Sequence, residues 1–491
     1  MSAVAAYVRG LLPVRRDERR LVAFLYVLLT IMVLADWIAK VGTNSLLIKR
    51  VGVEVIPVMY VVTPIVLLFT SMALFALVGR MRRRTLLLWY VAFVTVASVV
   101  IQLALPLGGP VYSIGYIFAH IVKETIYLIF WVYAGNLFDS EQSKRIFPLF
   151  AGALLVGKIV GGVASTGLAD AIHSENFVGV QAIGFAACLL LLLAYRAHLP
   201  EGEGDIERSP RERPRGLRES LRTSVSGYGA VAKDGLLRPF GVNIFLWYFL
   251  MQVGNYLYLV GLNNSTALGT AQQQEDAFSQ LYAAFYTSGS IAALAIQTFF
   301  TGGVIRRLGV SLVLFVFPLW YVGAYAGAVV SFTLLTSFLI QLGERVIVPA
   351  IHLPATQVVY NQVAAELRPR ARAFFSGGVN AIGNMAAAGL LLAGAAVGNS
   401  QTAILGLATA FSLVFVGNTW LVRKALGLRI AENLASDDAE LRRNAVQMLI
   451  GERAAVPTSA LRRVLDDPED DVEESVMRVL LSRDAIEAAA D

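Results

Sequence analysis

Residues 131–165 read WVYAGNLFDSEQSKRIFPLFAGALLVGKIVGGVAS, and the parsing of this stretch decides the fold. An apolar segment closes at Trp131–Gly135, a short charged loop follows at Asp139–Arg145, and a second apolar segment opens with Lys158 in its middle. Apolar runs of about 20 residues are long enough to cross roughly 30 Å of hydrocarbon as helices. The stretch therefore reads as a loop between two membrane helices. In the second helix Ala153, Gly157, Gly161 and Ser165 recur every four residues, a small-residue face that admits a close neighbour. Ala373, Gly377, Ala381 and Gly389 predict a similar face later in the chain.

Similar runs recur on both sides. The chain has 491 residues, 56% apolar and 15% charged, which excludes an ordinary soluble globular protein of this length. Twelve spans are expected, at about 21–44, 54–78, 85–105, 111–137, 147–169, 177–197, 238–262, 278–303, 308–330, 332–361, 373–396 and 402–424. The basic stretch RRDERR at 15–20 precedes a first span read as a retained helix and not a cleaved signal. The net charge of +6 sits in loop arginines beside the membrane, so the partner it implies is the lipid bilayer and not nucleic acid. The single cysteine, Cys188, excludes an intramolecular disulfide framework.

The loops sort by charge. Arg80–Arg84, Lys144 and Arg145, the 198–237 segment, Arg306 and Arg307, Arg368–Arg372, and Arg423 with Lys424 alternate with loops whose only basic residues are Lys49 and Arg50, the others holding Asp170, Glu175, Glu275 and Asp276 or no charge. Basic loops stay inside, which predicts a multi-pass protein of a bacterial inner membrane with both termini cytoplasmic. The two halves also echo each other. Asn136, Glu141, Arg145 and Phe150 recur as Asn361, Glu366, Arg370 and Phe375, each 225 residues later.

The expected fold class is an all-α membrane protein with twelve transmembrane helices in two six-helix halves. That is a major-facilitator-like architecture, and it carries a small C-terminal helical-repeat domain. The expected domains are an N-terminal half 1–199, a linker 200–237, a C-terminal half 238–427 and a soluble tail 428–491. In the tail, Leu434, Leu441, Ala445 and Leu449 align at a period of 31 with Leu465, Val472, Val476 and Leu480, a HEAT-type pattern. Two repeats need a surface to lie on, so the tail is expected to pack on the membrane domain, on a second copy or on a protein partner.

An ionisable group at the bilayer centre costs about 2.5–3.5 kcal/mol by insertion scales, so each one points to function. Asp36 and Lys40 lie in span 1, His120, Lys123 and Glu124 in span 4, Lys158 in span 5, and Gln341, Glu344, Arg345 and His352 in span 10. Asp36 and Lys40, four apart, neutralise each other or face a solute. Adjacent helix residues diverge by about 100°, so Lys123 with Glu344 and Glu124 with Arg345 are the expected pairs, acting as a gate. The two histidines are read as hydrogen-bonded packing residues.

The surplus of cations at depth suits an anionic solute, because phosphate groups bind Arg forks and Lys point charges. Candidate substrate contacts are Lys40, Lys123, Arg345, Tyr127, Trp131 and Asn255. Candidate gating or charge-compensating groups are Asp36, Glu124, Glu344 and Lys158. The chain carries no phosphate-gripping P-loop, zinc-ligand spacing or nucleophile elbow, so no enzyme, cofactor or metal is expected.

The opening stretch also resembles the nucleotide translocases of plastids and intracellular bacteria, which exchange ATP and ADP. Phe130, Trp131, Ala134 and Asn136 are similar to that family's FW-x-x-AN segment, and Glu141, Lys144, Arg145, Pro148, Leu149 and Phe150 to its EAKRFYPLFG segment. Asp36 and Lys40 resemble the charged end of its first span. Ala35 stands where the family carries arginine, Glu124 sits closer to Trp131 than the family's acid, and Lys158 replaces an apolar residue. The resemblance implies a secondary-active transporter of a small anionic solute, ATP/ADP or another nucleotide-like or phosphorylated compound, working by alternating access. Two alternatives stay open. One is a proton-coupled carrier of another amphipathic anion using Glu124 or Glu344 with His120, and the other is a membrane-anchored scaffold or sensor acting through its tail.

Overall fold

Among the described residues twelve helices are long and apolar enough to cross a membrane, and each overlaps one of the twelve expected spans. The computed structural model describes residues 15, 18–78, 81–135, 137–138, 140–196, 229, 231, 233–364, 367–396, 401–436, 438–452 and 456. Its helices are α1 (Arg19–Arg50), α2 (Ile56–Val78), α3 (Arg83–Ala104), α4 (Pro110–Ala134), α5 (Ser140–Ile172) and α6 (Phe177–Ala194). After the linker come α7 (Leu237–Ser265), α8 (Ala271–Leu308), α9 (Val310–Val330), α10 (Leu334–Tyr360), α11 (Arg370–Ala396) and α12 (Gln401–Leu434), then a short α13 (Ala439–Glu452). No strand occurs among the described residues. The helices close their own backbone hydrogen bonds, which hydrocarbon demands. Their ends carry the usual signals: Pro110 opens α4 behind Gly108 and Gly109 at positive φ, and Thr333 caps α10 through the backbone N–H of Thr336.

Four expected boundaries move by six residues or more, the start of α5 from 147 to Ser140 among them. Helix α1 runs on past residue 44, so Lys49 and Arg50 are its last turn and not a loop. Helix α8 begins at Ala271, which places Glu275 and Asp276 inside a helix. Helix α12 continues to Leu434, so the expected boundary between 427 and 428 falls inside it. Residues elsewhere in the fold take up the charge of Arg50, Lys49, Glu275 and Asp276, and nothing in the backbone stops these helices sooner.

Packing divides the chain into two units: Met1–Arg213 with Leu262–Ser290, and Pro214–Gly261 with Ile291–Asp491. In the first unit α1 is the central rod, packed on α4, α5 and α6. The small face of α5 makes this possible. A Cβ at Gly157 would lie 2.9 Å from the Thr30 carbonyl oxygen and one at Gly161 2.9 Å from that of Leu34, so the two backbones touch. Helices in lipid gain little from apolar burial against each other, and this close van der Waals contact is what holds them.

In the second unit α9 packs on α12 and α10. Asn418 Nδ2 donates to Asn243 Oδ1 at 3.0 Å and Thr419 Oγ1 to the same oxygen at 3.1 Å, a buried clip of α12 onto α7. Such intramembrane hydrogen bonds contribute about 0.6 kcal/mol each on average. Helices α8, α10 and α11 each contain a π-helical segment, at Gln297–Thr301, Gly343–His352 and Phe374–Val379. The small face expected on α11 is not the packed one: Gly377, Ala381 and Gly389 are exposed within this unit. The wider turn at Phe374–Val379 changes the helix phase, and Gly383 meets α7 instead, within 3.0 Å of Tyr248 Cβ for an added Cβ.

Of the tail, α13 is described and lies on α12 and on the ends of α8 and α9. Leu434, Ala445 and Leu449 are buried, as their spacing predicts. Asn433 Nδ2 donates to the Gln362 carbonyl oxygen and to its Oε1, both at 3.0 Å, and fastens the end of α12 to the α10–α11 loop. The partner segment around Leu465–Leu480 lies outside the described residues, as do Asn136 and Glu366 of the internal echo.

Candidate functional site

Helix α1 brings Asp36, Trp37 and Lys40 onto its buried face, with relative exposures of 3%, 5% and 6%. Asp36 Oδ1 accepts from Gln181 Nε2 of α6 at 3.3 Å, and Gln181 Oε1 accepts from Ser98 Oγ of α3 at 3.1 Å. The carboxylate thus closes a chain of polar groups across three helices, with Gln181 and Ser98 fully buried. One turn along, Lys40 Nζ lies 5.4 Å from the Trp37 ring centroid. Lys158 of α5 lies 5.7 Å from the Tyr127 ring of α4. Lys40 and Lys158 therefore each lie at cation–π distance from an aromatic ring.

Lys123 and Glu124 form an ion pair at 2.7 Å, and Arg345 and Glu344 one at 3.5 Å. Both correct the expectation that helix neighbours diverge too far to meet. The lysine stem is long enough to bend back across the 100° between them. At Glu344 and Arg345 the helix is π-helical, and its wider turn brings consecutive side chains closer in angle. Gln341 Nε2 adds a 2.8 Å hydrogen bond to Glu344. The Lys123–Glu124 pair is partly open, with side-chain exposures of 31% and 46%, so a solute can reach it.

His120 Nδ1 lies 2.9 Å from the Tyr116 carbonyl oxygen, and its ring sits 4.0 Å from the Tyr116 ring, the packing role expected. His352 is also a packing residue, among Trp247, Phe317 and Phe415, but its Nδ1 has no hydrogen-bond partner among the described residues. Trp131 stands in an aromatic cluster with Phe130, Phe147 and Phe150, at centroid distances of 5.7, 4.9 and 6.4 Å. The surroundings are a packing core. Asn255 is half-buried on α7 in the second unit.

Three residues of α8 enter the site without having been expected. Tyr282 and Tyr286 stack at 4.3 Å, and Tyr286 lies 5.6 Å from Trp37. Thr287 follows, buried and beside Gly162, where an added Cβ would collide with its Oγ1. Trp37 Nε1 and Thr287 Oγ1 are both buried and have no hydrogen-bond partner among the described residues. Buried polar groups ordinarily find a partner, which sets these two apart from most of their neighbours. The signal was present in the sequence as QLYAAFYTSGS at 280–290, an aromatic and hydroxyl face at helical spacing.

At one end of the first unit the charges knit tightly. Arg50 donates to Glu275 through Nε at 2.5 Å and Nη2 at 2.8 Å, to Glu175 at 2.8 Å and to the Tyr112 hydroxyl at 3.0 Å. Lys49 Nζ donates to the carbonyl oxygens of Asn263 and Thr266. Asp276 accepts the backbone N–H and the hydroxyl of Ser174 on Oδ1, and its Oδ2 lies 2.9 Å from His173 Nδ1. At the other end Glu18 gathers Gln142 Nε2 at 3.0 Å and Arg145 Nη2 at 3.2 Å on one carboxylate oxygen. Those two donors belong to the EQSKR segment, expected as a loop but helical here as the first turns of α5, where it clamps the start of α1.

No family model matches the chain, and no curated protein matches it in sequence. Solved structures do match. The nucleoside transporter NupG in a mutant form aligns with a TM-score of 0.58 at 14% identity, covering 82% of this chain and 99% of that one. A second NupG structure aligns at 0.56, with 14% identity and coverages of 82% and 98%. The chain has a major-facilitator-like fold. A POT family transporter in complex with 5-aminolevulinic acid also aligns, with a TM-score of 0.55, 13% identity and coverages of 81% and 95%. In a major-facilitator-like fold the solute site is expected near mid-membrane, the depth at which Asp36, Lys40, Lys123 and Lys158 occur along their helices.

Proposed function

We propose that the chain is a secondary-active transporter moving an anionic, nucleotide-like or phosphorylated solute by alternating access, in the manner of the ATP/ADP translocases it resembles. The observation that carries this reading is the pairing, inside the first unit, of two kinds of contact. Lys40, Lys123 and Lys158 offer positive charge at depth, while Trp37 and Tyr286 offer a ring surface beside Trp37 Nε1 and Thr287 Oγ1, which have no hydrogen-bond partner among the described residues. Cations suit phosphate, and stacked rings with spare donors suit a heterocyclic base. Lys40 and Lys123 take the phosphate, and Asp36, Glu124 and Lys158 balance charge when it leaves. In the second unit Arg345 and Glu344 take the same two roles. The name of the aligned NupG, a nucleoside transporter, agrees with a base-bearing solute.

The reading places the protein in a bacterial inner membrane with both termini and the 428–491 helical repeats in the cytoplasm. Its halves are 1–199 and 238–427, joined by the 200–237 linker. The test is a thermal-shift and liposome-uptake series with ATP, ADP, nucleosides and non-nucleotide phosphates. Nucleotides are expected to stabilise the parent protein and to exchange across the membrane. Lys40→Ala and Lys123→Ala should each reduce both effects by about tenfold, the scale of a charge-assisted hydrogen bond. Parental uptake in the Lys123→Ala protein, or no response to any nucleotide, would remove the proposal.

A further inference from the structure

The second unit holds a cavity of about 470 Å³ between the first turns of α7 and α11, and its walls are apolar except at one end. Val242 and Phe245 form one side, Val379 and Ile382 the other, and Phe375 the floor, with Arg238 at the mouth. The floor is deep because Gly241 gives way: an added Cβ there would meet the Phe375 ring at 2.9 Å. Val242 and Ile382 are 47% and 58% exposed, so the groove is open along its length. From Arg238 to Phe245 it runs about 10 Å along the helix. It begins where α7 and α11 begin, at the end of the bundle that carries the arginines.

The internal echo shows how the surroundings of Phe375 differ from those of its counterpart. Phe375 repeats Phe150, and in the first unit Phe150 is ringed by Phe130, Trp131, Phe138 and Phe147, at 5.2, 6.4, 6.1 and 6.5 Å. At the same offset of 225 the second half has Ala355, Thr356, Val363 and Arg372. Four rings become two small side chains, a valine and a cation. Phe240, Tyr360 and Phe374 close on Phe375 from other directions, and the groove stays open. The replacement also adds charge. Arg372 is exposed and its guanidinium lies 5.2 Å over the Tyr360 ring, while the exposed side chains of Arg238 and Arg370 make no ion pair among the described residues.

We infer that this groove is a binding site for an anionic phospholipid, one acyl chain lying between α7 and α11 and the phosphate held by Arg238 and Arg372. The occupant follows from the surroundings. An apolar channel open along a membrane-spanning helix is filled by a lipid chain, and Arg238 at its mouth, with Arg372 two residues before the lining Phe374, selects a negative headgroup. The site rests on the membrane-spanning reading and on the position of the arginine-bearing end, and it does not depend on the solute transported. The π-helical segment Phe374–Val379 lies in its wall, so an occupied groove braces the part of α11 whose hydrogen bonding is least regular.

The test is native mass spectrometry of the full-length protein incubated with equal amounts of phosphatidylglycerol and phosphatidylcholine. The parent should retain phosphatidylglycerol in preference. Arg238→Ala and Arg372→Ala should each lower that preference by about fivefold, the worth of one basic residue near an anionic surface. Ile382→Trp, which fills the channel, should lower retention of both lipids, and inorganic phosphate should displace neither. Equal retention of the two lipids by the parent would overturn the inference without any variant. So would an unchanged preference in the folded Arg238→Ala/Arg372→Ala protein, or displacement by phosphate alone. Nucleotide binding is measured separately, so failure here leaves the transport reading standing.

Discussion

Arg50 and Glu275 meet fork to fork, Nε on Oε1 at 2.5 Å and Nη2 on Oε2 at 2.8 Å, with the Glu275 side chain only 1% exposed. Glu175 binds the same guanidinium at 2.8 Å but its side chain is 39% exposed. Two acids on one arginine should therefore differ in worth. Arg50→Ala strands a buried carboxylate and should cost about 3–5 kcal/mol. Glu175→Gln removes a solvent-screened partner and should cost about 0.2–1 kcal/mol. Thermal unfolding of the detergent-solubilised full chain distinguishes them, and equal shifts would contradict the assignment.

His173 holds φ 61 and ψ 149, a backbone region that glycine adopts freely and other residues avoid. It is the one non-glycine residue at positive φ among those described. Its ring bonds Asp276, and the next residue, Ser174, delivers two more donors to the same carboxylate. His173→Ala loses the ring contact and keeps the strain. His173→Gly loses the contact and releases it. The glycine protein should be the more stable of the two by about 1–3 kcal/mol. The same unfolding measurement ranks them, and the reverse order would mean that the surroundings do not impose this conformation.

Glu18 supplies a pH test outside the membrane. Burial pushes its carboxyl up, but the Arg15 backbone N–H, Arg145 and Gln142 together outweigh it and hold the group below the ordinary glutamate value. Its folded pKa is lower than its unfolded one, so its stabilisation is complete above the unfolded value. It is lost as pH falls through the folded value. The parent should lose thermal stability on acidification across that window, and Glu18→Gln should show a flatter acid limb. Identical acid limbs would exclude a role for the clamp.

Asn433 tests the tail. Its amide feeds two oxygens of Gln362, which is itself fully buried and donates to Met448 Sδ at 2.9 Å. Asn433→Leu leaves buried acceptors unmade and should cost about 1–3 kcal/mol locally. Asn444, partly exposed and bonded to the Asn361 carbonyl oxygen at 3.3 Å, should matter less. Hydrogen exchange over Ala445–Leu449 is the readout. Faster exchange in Asn433→Leu than in Asn444→Ala is the expected result, and equal rates would place the anchor elsewhere.

The twelve spans and the close helix contact at Gly157 and Gly161 were legible because length, hydropathy and small-residue spacing are local properties. The ends were less legible. Lys49, Arg50, Glu275 and Asp276 read as loop charges, yet they continue their helices because their partners lie on other helices and satisfy them there. The neighbouring pairs Lys123–Glu124 and Glu344–Arg345 were misjudged from ideal helix angles, which take no account of a flexible lysine stem or a π-helical turn. Tyr282, Tyr286 and Thr287 carry no charge, so the ionisable groups that mark spans 1, 4, 5 and 10 do not point to them. Span 8 shows its polar face only when its residues are projected at helical spacing. Gln181 and Glu18 had no signal of their own, since each matters through residues distant in sequence.

Helix α12 spans 34 residues without a break, about 50 Å of rod against roughly 30 Å of hydrocarbon. Its last turns are therefore a shaft standing outside the bilayer, and Asn433 and Arg429 pin that shaft to the α10–α11 loop and to Asp234. A tilt of the second unit is carried outward along the shaft and enlarged with distance from the membrane. Helix α13, seated at its far end, works as the pointer of a gauge. A fluorophore placed there would register angular motion of the helices of this unit, including motions too small to follow within the membrane.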